Sequence, residues 1–386
     1  MRVNLVRILG GTVLGSALGT CWLLGDGLVG PAASFLLLPL IANQQRPIRR
    51  LLAALGYYAI GSVPVAAAVI GYWGADHAAL GVAAWLGSAL LLSIPWTLAY
   101  SWPGAWAALA LTALPPLGVI GWLSPLNAAG VFFPGLNAVG LGLLLLAFTA
   151  MHRRAMRPHI AMLTVCVLTA VISNLFYLEP APPAGWLGIH THVSPSRGDR
   201  LKAIQSNQDA IDAALTQGKS ARVVVFAEAI LDDWLPGTRQ QLAMAAPSDQ
   251  IWILGAQVGS LDAVVAIARG YVNAEPVSAS AGLLLGGDWI PWSRQTLTPA
   301  WWEPLFRVDG RRIWPALCIE QVQPWTWLEA MWQRPDVILA MSNGWWASGP
   351  GLLQPRLGEA GLAIERASTR AWARLMGLPV VWAGNR

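Results

Sequence analysis

Two residues in the C-terminal half have the type and setting that nucleophilic catalysis requires. Glu228 closes the apolar run VVVFAE, which predicts a buried strand, and Cys318 closes a second such run and begins Cys-Ile-Glu. A carboxyl group at the end of a buried strand is partly desolvated, which raises its pKa and suits it to act as a general base. A thiol beside such a base attacks a carbonyl carbon and forms a thioester. The plainer alternatives are a solvated strand-end or helix-start glutamate and a cysteine that only packs in the core.

The cysteine content favours a chemical use for Cys318. The chain has three cysteines, too few for a disulfide framework, and Cys21 and Cys166 lie in apolar runs as small packing residues. Cys318 is the only thiol in the polar half of the sequence. If that half is extracytoplasmic, a thiol outside a disulfide is a chemical liability there, so its presence indicates a function.

A tryptophan-rich loop with one fixed cation lies between the two candidate residues in the sequence. The loop, PWSRQTLTPAWWEP at 291–304, contains Arg294, which is either a functional cation or an exposed arginine stacked on Trp292. Ten tryptophans fall between residues 289 and 346. Some are expected to pack in the core. The others suit a membrane–water interface, through which a lipid acyl donor could reach Cys318.

The elements that would position these residues alternate between strands and helices, which is typical of a layered α/β domain. Consecutive strands without a helix between them further predict a mixed sheet. The predicted strands lie at 186–190, 222–227, 251–256, 263–267, 281–286, 313–319, 336–341 and 378–383. The predicted helices lie at 200–217, 238–246 and 356–376. A proline-rich linker at 179–185 precedes this domain, which takes in residues 186–386.

The composition assigns the first half of the chain to a membrane. Of the 386 residues, 55% are hydrophobic and 12% are charged, about half the charged fraction of a typical soluble protein. Residues 1–180 contain eight basic and three acidic side chains, so the net charge of +5 belongs to the apolar half and the polar half is neutral. A neutral polar half argues against direct nucleic-acid binding, which requires clustered Lys and Arg.

Seven apolar runs in residues 1–178 predict transmembrane helices, which need about 20 residues each. The runs lie near 8–24, 28–43, 51–72, 79–98, 104–122, 131–151 and 159–178. Arg2, Arg7 and the basic loops at 44–50 and 152–159 fall on one side, which the positive-inside rule assigns to the cytoplasm. The polar half then follows on the outer side of a bacterial inner membrane, in the periplasm. No charge lies deep within a span, which argues against an ion-coupled transporter.

The order of motifs in the C-terminal half resembles the carbon–nitrogen hydrolase (nitrilase) superfamily, and within it the membrane-bound apolipoprotein N-acyltransferase. The motifs are FAE ending at Glu228, Arg294 before Leu297-x-Pro299, Cys318-x-Glu320, the turn 342-SNGWW-346, and Gly349-Pro350. The predicted membrane spans before this half also match the membrane-bound acyltransferase branch. The resemblance implies an αββα sandwich that uses neither a cofactor nor a metal.

The resemblance also implies a role for each matching residue. Glu228 would be the base, Cys318 the nucleophile that becomes acylated, and Glu320 a residue that orients it. Arg294 and the backbone N–H of Ile319 would bind the oxyanion. The residues expected beside the substrate are Trp301, Trp302, Glu303, Asn343 and Trp345.

The chain departs from the superfamily pattern at several places. Arg294 stands where a lysine is expected, and a guanidinium, with a pKa above about 12, stabilises an oxyanion but does not exchange protons. The further glutamate of the acyltransferase falls on Trp302, with Glu303 one position late, and its Asn-Asp reads Ser342-Asn343. The sequence ends at Arg386, where the superfamily would add closing strands and the acyltransferase a last membrane helix.

This shortened pattern, with Arg294 in place of lysine but Glu228 and Cys318 retained, resembles the TraB family of conjugal-transfer proteins. The resemblance implies a role in plasmid conjugation, with a membrane lipid as acyl donor and proteins of the conjugation apparatus as partners. Three functions stay open: a Cys-dependent acyltransferase or amidase acting on an envelope lipid or protein, a catalytically degenerate assembly factor, and an apolipoprotein N-acyltransferase. The first requires Glu228, Arg294 and Cys318 to converge on one pocket.

Overall fold

The computed structural model describes residues 2–151, 157–193, 196, 199–231, 234–271, 275–281, 296–303, 305–348 and 354–386. The chain divides into two compact units. The helical unit takes in Met1–Glu179, Val322–Met331 and Gly349–Leu378. The sheet unit takes in Pro180–Gln321, Trp332–Ser348 and Pro379–Arg386.

The elements are numbered in chain order. The helices are α1 (Arg2–Thr20), α2 (Val29–Ser34), α3 (Leu37–Ala42), α4 (Pro47–Gly61), α5 (Pro64–Trp73), α6 (Ala78–Ser93), α7 (Trp102–Ala113), α8 (Ala128–Phe132), α9 (Asn137–Ala150), α10 (Arg157–Phe176), α11 (Arg200–Gln217), α12 (Pro236–Ala245), α13 (Pro324–Gln333) and α14 (Gln354–Met376). The strands are β1 (Trp186–Gly188), β2 (His190–Thr191), β3 (Val223–Val225), β4 (Ile251–Val258), β5 (Leu261–Ala268), β6 (Pro276–Ala279), β7 (Phe306–Val308), β8 (Arg311–Leu317), β9 (Val337–Asn343) and β10 (Val380–Asn385).

Several helices of the helical unit are long and apolar enough to cross a membrane. In the described part of the chain, Ala75–Leu98 and His159–Phe176 meet both conditions as single helices. Two bent pairs raise the number to four if each pair is one span, namely Pro47–Gly61 with Pro64–Trp73 and Pro125–Phe132 with Asn137–Ala150. The seven-span arrangement and its orientation therefore stay predictions.

The continuous helix predicted at 104–122 does not form. Helix α7 ends at Ala113, because Pro115 and Pro116 follow and proline both lacks an N–H and disfavours helix in the residue before it. Its 12 residues extend about 18 Å, well short of the roughly 30 Å of a bilayer core. A 3-10 turn at Leu117–Ile120 occupies the rest of this run.

Three other predicted spans are interrupted. Most of the run at 131–151 forms α9, whose axis is bent by 115° from the preceding helical segment, Pro125–Phe132. Gly135 lies between them with φ +76, a conformation that favours glycine. The run at 28–43 forms two six-residue helices, α2 and α3. The run at 51–72 bends by 45° where α5 begins at Pro64.

Two helices from the C-terminal part of the sequence, α14 and α13 up to Met331, belong to the helical unit. The backbones of α14 and α8 are in contact at Gly130. A Cβ atom on this glycine would lie only 1.7 Å from the carbonyl oxygen of Ala371. The rings of Trp327 in α13 and Trp372 in α14 stack with centroids 6.3 Å apart. The domain limits predicted from sequence, 186–386, had included both helices, whereas the structure groups them with the apolar runs.

Polar side chains also join these two helices to the rest of the helical unit. The amide of Gln323 donates to the carbonyl oxygen of Val119 at 2.7 Å, and the amide of Gln354 donates to that of Ala67 at 2.5 Å. Arg366 forms an ion pair with Asp26 at 3.3 Å. Each bond links α14, or the residue directly before α13, to a segment within the first 120 residues.

The sheet unit contains two mixed five-stranded sheets. Sheet A has the order β1-β3-β4-β5-β6, with its first three strands parallel and β5 and β6 antiparallel to their neighbours. Sheet B has the order β2-β10-β9-β8-β7, parallel except at β7. The chain passes from sheet A to sheet B at Ile189. Its N–H donates to Val225 at 2.9 Å, and its carbonyl accepts from Gly384 at 3.1 Å.

The two sheets pack face to face over an apolar core. Val225 and Ile253 from sheet A share this core with Leu317 and Met341 from sheet B. Alternate residues of sheet A form a second core with helices α11 and α12. Fully burying each large apolar side chain stabilises the fold by about 1.5–3 kcal/mol, so these faces hold the strand ends in place.

The predicted α/β domain with mixed sheets is confirmed. The helix predicted at 200–217 corresponds to α11, and most predicted strands agree with observed ones within a few residues. The strand predicted at 281–286 lies outside the described residues beyond 281, and β6 lies just before it. Strand β7 and helix α13 were not predicted.

Candidate functional site

The backbone around Glu228 is fixed by a close approach of strand β4. The residues after β3 continue its pairing, since the N–H of Phe226 donates to Ile253 at 2.8 Å. A Cβ atom on Gly255 in β4 would lie 2.5 Å from the Cα of Glu228 and 2.4 Å from the nitrogen of Ala229. Ala229 itself has φ +41, which is uncommon for a residue other than glycine. Glu228 is 9% exposed and therefore lies in a tight, buried turn at the end of its strand.

Cys318 occupies a strained turn at the corresponding end of sheet B. It directly follows β8 and begins a 3-10 turn, Cys318–Val322. Its φ is +31, a left-handed conformation that costs a β-carbon residue about 1–3 kcal/mol and persists only where the surroundings impose it. The thiol-bearing residue is half-buried. A strained turn between a strand and a helical segment aims such a side chain out of the sheet.

Glu320 imposes the conformation of this turn. Its carboxyl is fully buried and accepts the N–H of Leu317 at 2.9 Å, the N–H of Ala281 at 2.5 Å and the hydroxyl of Ser280 at 3.1 Å. Burial raises the pKa of Glu320 to about 7, although these hydrogen bonds lower it. The carboxyl thus ties the residue before Cys318 to the chain that follows β6.

Asp262 in strand β5 connects Glu320 with Glu228. The backbone carbonyl of Asp262 accepts the N–H of Ser280 at 2.8 Å. Burial raises the pKa of Asp262 to about 6, although its interaction with the Glu228 side chain lowers it, and the charge of Asp262 also raises the pKa of Glu320. A continuous path of polar contacts therefore leads from Glu228 through Asp262 and Ser280 to the turn that holds Cys318.

Asn343, at the end of β9, links the Glu228 turn to sheet B. Its side-chain amide donates to the carbonyl oxygen of Glu228 at 2.9 Å. The side-chain oxygen of Asn343 accepts from the side-chain amide of Asn385 at 2.9 Å. The side-chain oxygen of Asn385 in turn accepts from the Thr191 hydroxyl at 2.8 Å. On the neighbouring strand end, Gln321 donates to the Ser342 hydroxyl at 2.7 Å.

The residues expected beside the substrate separate into buried and exposed ones. Glu303 is fully buried and accepts the hydroxyl of Ser278 at 2.5 Å. Trp302, at the position where the acyltransferase glutamate was expected, is 58% exposed, and Trp301 is 48% exposed. Glu303, one position after the expected glutamate, therefore points into the sheet unit. Trp345 is half-buried and begins a 3-10 turn, Trp345–Ser348.

Two of the predicted groups, Arg294 and the Gly349-Pro350 pair, lie outside the described residues. Ile319, whose backbone N–H was expected at the oxyanion, is buried in the turn that begins at Cys318. In the described ranges, no group of three or more His, Cys, Asp or Glu side chains is placed to hold a metal ion.

Comparison with known proteins identifies the family. No protein-family model matches the chain. The chain is 30% identical over 295 residues to a probable conjugal transfer protein TraB of Sinorhizobium fredii, covering 72% of this chain and 71% of that protein. The chain belongs to the TraB family of conjugal transfer proteins. The conjugal transfer protein TraB of Agrobacterium fabrum is a second relative, 31% identical over 302 residues that cover 72% of this chain and 66% of that protein.

A comparison of folds finds an amidase from Nesterenkonia sp. AN1, in which acrylamide had added to the active-site cysteine. The likeness has a TM-score of 0.30 and 15% identity, and it covers 52% of the TraB-family chain and 76% of the amidase. A similarity this low supports no conclusion about chemistry.

Sequence reasoning missed Asp262, a charged residue of the network in this TraB-family chain. Asp262 belongs to no motif, yet it is the single charged residue in the apolar run LDAVVAIA at 261–268. A carboxyl group within a buried strand needs a partner, which was the available signal. The antiparallel pairing of Asp262 with Gln257 of β4 places it near the Glu228 turn, and that register is not visible in the sequence.

Proposed function

We propose that this TraB-family chain is a membrane protein of plasmid conjugation whose sheet unit uses Cys318 for acyl transfer or amide chemistry on an envelope lipid or protein. The observation that carries the proposal is the strained turn at Cys318, which the buried carboxyl of Glu320 ties to the chain that follows β6. A fold has no structural need for a strained cysteine at a strand end, whereas a nucleophile gains a fixed direction from it.

The proposed reaction begins with proton transfer from the thiol of Cys318 to the carboxylate of Glu228. The thiolate attacks the carbonyl carbon of an ester or amide, and a tetrahedral oxyanion forms. Protonated Glu228 returns the proton to the leaving alcohol or amine as the carbon–oxygen or carbon–nitrogen bond breaks. The resulting thioester is then attacked by water or by an acceptor amine, which releases Cys318.

The oxyanion needs donors that are in place before the reaction begins. The backbone N–H of Ile319 is one candidate, because it follows Cys318 in the same turn. Arg294 is the second. A guanidinium suits this task, since it remains charged and needs only to stabilise the negative oxygen.

A membrane position for the sheet unit is supported by two features. The helical unit contains helices long and apolar enough to cross a bilayer. Trp301 and Trp302 are large and about half exposed, as expected for side chains at a membrane–water interface. We place the N-terminus in the cytoplasm and the sheet unit in the periplasm, on the outer face of the inner membrane. Loss of lipid-dependent activity on replacing both tryptophans by Ala, with Trp332→Ala as an exposed control, tests this position.

Conjugation frequency tests whether the thiol is needed. Cys318→Ala should lower plasmid transfer at least about tenfold, because it removes the nucleophile. Cys21→Ala is the matched control and should transfer normally. Equal transfer by both variants, at equal protein levels in the membrane, would reject the chemical role.

The second candidate function is a catalytically degenerate assembly factor for the conjugation apparatus. Arg294 favours it, because the superfamily lysine is replaced by a group that cannot exchange protons. Under this alternative, Cys318→Ala transfers normally, whereas variants that unfold the sheet unit do not.

A further inference from the structure

A buried arginine joins three backbone segments at one end of the helical unit. Arg50 of α4 is only 3% exposed. Its Nε atom donates to the carbonyl oxygen of Thr97 at 3.0 Å. Its Nη1 atom donates to the carbonyl oxygens of Gln44 at 3.0 Å and Gln45 at 3.4 Å. The guanidinium is therefore held in one orientation by the backbone around it.

These contacts bring together the ends of two segments that are long and apolar enough to cross a membrane. Arg50 lies near the start of α4, which begins one bent pair of helices, and Thr97 lies near the end of Ala75–Leu98. The loops at 44–50 and 99–103 are therefore on the same side of the helical unit. The orientation proposed above puts that side in the cytoplasm.

The charge of Arg50 has no acidic counterpart in this part of the chain. Carbonyl oxygens accept its hydrogen bonds but carry no net charge, and none of the ion pairs in the described ranges includes Arg50 or Arg46. The only Asp and Glu residues in the first 180 are Asp26, Asp76 and Glu179. A buried charge is stabilised by a partner of opposite sign. An anion from outside the chain would supply that partner.

One nitrogen of the Arg50 guanidinium is free to bind such an anion. Arginine has five N–H donors, and the three carbonyl oxygens occupy those of Nε and Nη1. Its Nη2 atom donates to none of the described residues and is not among the fully buried atoms that lack a partner, so it reaches the surface. A guanidinium in a fixed orientation suits the oxygens of a phosphate group. Arg46 is exposed and directly follows Gln45, and it adds a second positive charge.

The side chains around this end are those of a membrane–water interface. The guanidinium carbon of Arg50 lies 5.9 Å from the centroid of the Tyr100 ring, and Tyr100 is exposed. Ile48 and Leu98, which flank the contact on its two segments, are exposed as well. Tyrosine favours the level of the lipid headgroups, and exposed aliphatic side chains favour the lipid chains. A phospholipid matches this combination better than a free anion does.

We propose that Arg50 and Arg46 bind the phosphate of an anionic phospholipid in the cytoplasmic leaflet. The inference rests on the proposed membrane position and orientation, and not on the chemistry of Cys318. The phosphate accepts from Nη2 of Arg50 and offsets its buried charge, and the lipid chains lie along Ile48 and Leu98. Basic side chains at the cytoplasmic face attract anionic lipids in this way. The bound lipid then strengthens the contact between α4 and the end of Ala75–Leu98.

Binding of short-chain phospholipids to the full chain in neutral detergent micelles tests the proposal. The probes are dioctanoyl phosphatidylglycerol, which is anionic, and dioctanoyl phosphatidylcholine, which has the same chains but no net charge. Affinity is measured from the rise in melting temperature with lipid concentration. The wild type should bind phosphatidylglycerol at least about fivefold more tightly, because each basic side chain favours the anionic lipid by about that factor. Equal affinities for the two lipids would overturn the proposal.

Charge-removing variants locate the binding site. Arg50→Gln and Arg46→Gln should each weaken phosphatidylglycerol binding by about fivefold and leave phosphatidylcholine binding unchanged. Arg50→Lys, which keeps the charge, should retain most of the preference. Arg356→Gln is the matched control, because Arg356 is an exposed arginine in α14 of the same unit. An equal loss in this control would show a general effect of charge and would overturn the proposal.

The variants also separate lipid binding from a purely structural role. If Arg50 only joins the three segments, Arg50→Gln lowers the melting temperature without changing the preference for phosphatidylglycerol, which would overturn the proposal. Arg46→Gln changes an exposed side chain, so it keeps the test decisive if Arg50→Gln does not fold. An unchanged preference in Arg46→Gln would exclude Arg46 from the site and overturn the proposal as stated.

Inorganic phosphate distinguishes a headgroup site from a site for a free anion. At the same concentration as the lipid, it should raise the melting temperature less than phosphatidylglycerol does. Equal stabilisation by the two, lost in Arg50→Gln, would assign the site to a free anion and reject the lipid. If the preference for phosphatidylglycerol is found but Cys318 never becomes acylated, the proposed chemistry fails and the lipid site stands. If acylation occurs without the preference, the reverse holds.

Discussion

The side-chain amide of Asn343 donates a hydrogen bond to the backbone carbonyl of Glu228 at 2.9 Å. Asn343 ends strand β9 of sheet B, whereas Glu228 follows strand β3 of sheet A. This bond therefore joins the carboxyl ends of the two sheets at the point where the candidate base leaves its strand. Residues of both sheets therefore position Glu228.

Replacing Asn343 by Asp should weaken the site while preserving its shape. The new carboxylate still accepts from Asn385 but cannot donate to the Glu228 carbonyl. We expect the rate of acylation at Cys318 to fall about tenfold, since misplacing a base by a fraction of an ångström costs roughly that much. Gln208→Ala, at an exposed position of helix α11, is the control. An acylation rate in Asn343→Asp equal to that of the control would show that this link does not position the base.

Gly255→Ala should displace Glu228 without removing any reactive group. The added methyl would lie 2.5 Å from the Glu228 Cα, so the turn has to move. We expect slower acylation of Cys318 by at least about tenfold and a loss of about 1–3 kcal/mol in unfolding free energy. Gly237→Ala in α12 is the matched control, because its Cβ meets nothing within 4 Å. If Cys318 becomes acylated at the wild-type rate in both variants, the turn at Glu228 does not limit the reaction.

The stability of the sheet unit should fall as the pH rises toward neutrality. The pKa of Glu320 is raised to about 7 and that of Asp262 to about 6, both above the values of about 4 in an unfolded chain. Between about pH 4 and pH 7 the folded state binds more protons than the unfolded state, so the free energy of unfolding decreases with rising pH. The pKa of Asp336 is lowered by its hydrogen bonds to Arg312, so its contribution is lost only below about pH 4.

Thermal unfolding of the full chain in micelles checks this pH dependence. The wild type should have a lower apparent melting temperature at about pH 7.5 than at about pH 5. Glu320→Gln should reduce that difference, because it removes one of the two raised groups. A melting temperature that increases from the lower to the higher pH would contradict the assignment.

Gly130→Ala should separate helices α8 and α14. Its Cβ would lie 1.7 Å from the Ala371 carbonyl, and backbone atoms on both sides leave no flexible group to yield. We expect a loss of about 1–3 kcal/mol in unfolding free energy, seen as a lower melting temperature in micelles. Gly142→Ala in α9, whose Cβ has no neighbour within 4 Å, should melt as the wild type does. Equal melting of both variants would show that α14 does not pack there.

The sequence predicted the parts of the site that lie at the ends of strands. Glu228 and Cys318 close apolar runs in the sequence, and each follows the carboxyl end of a strand, Glu228 in sheet A and Cys318 in sheet B. Asp262 was missed because its position depends on the register of β4 with β5, which local pattern does not encode. Glu303, one position after the place where the acyltransferase glutamate was expected, is buried, whereas Trp302 at that place is 58% exposed.

The helices of the apolar half were predicted less well, for a physical reason. Hydropathy measures how apolar a run is but not whether its helix is continuous. Pro64 bends one predicted span, and Pro115 and Pro116 end another. The assignment of α14 to the helical unit was also missed. The charged residues of α14, Arg366 among them, are typical of a surface helix, whereas its buried face packs on α8.

Mass spectrometry of Cys318 in isolated membranes is the direct test of acyl transfer by this thiol. An acyl group should be present on the thiol in the wild type, absent in Cys318→Ala and slower to form in Glu228→Gln. A Cys318 thiol that keeps its unmodified mass, in native membranes and after phospholipid is supplied to the purified chain, would contradict the account.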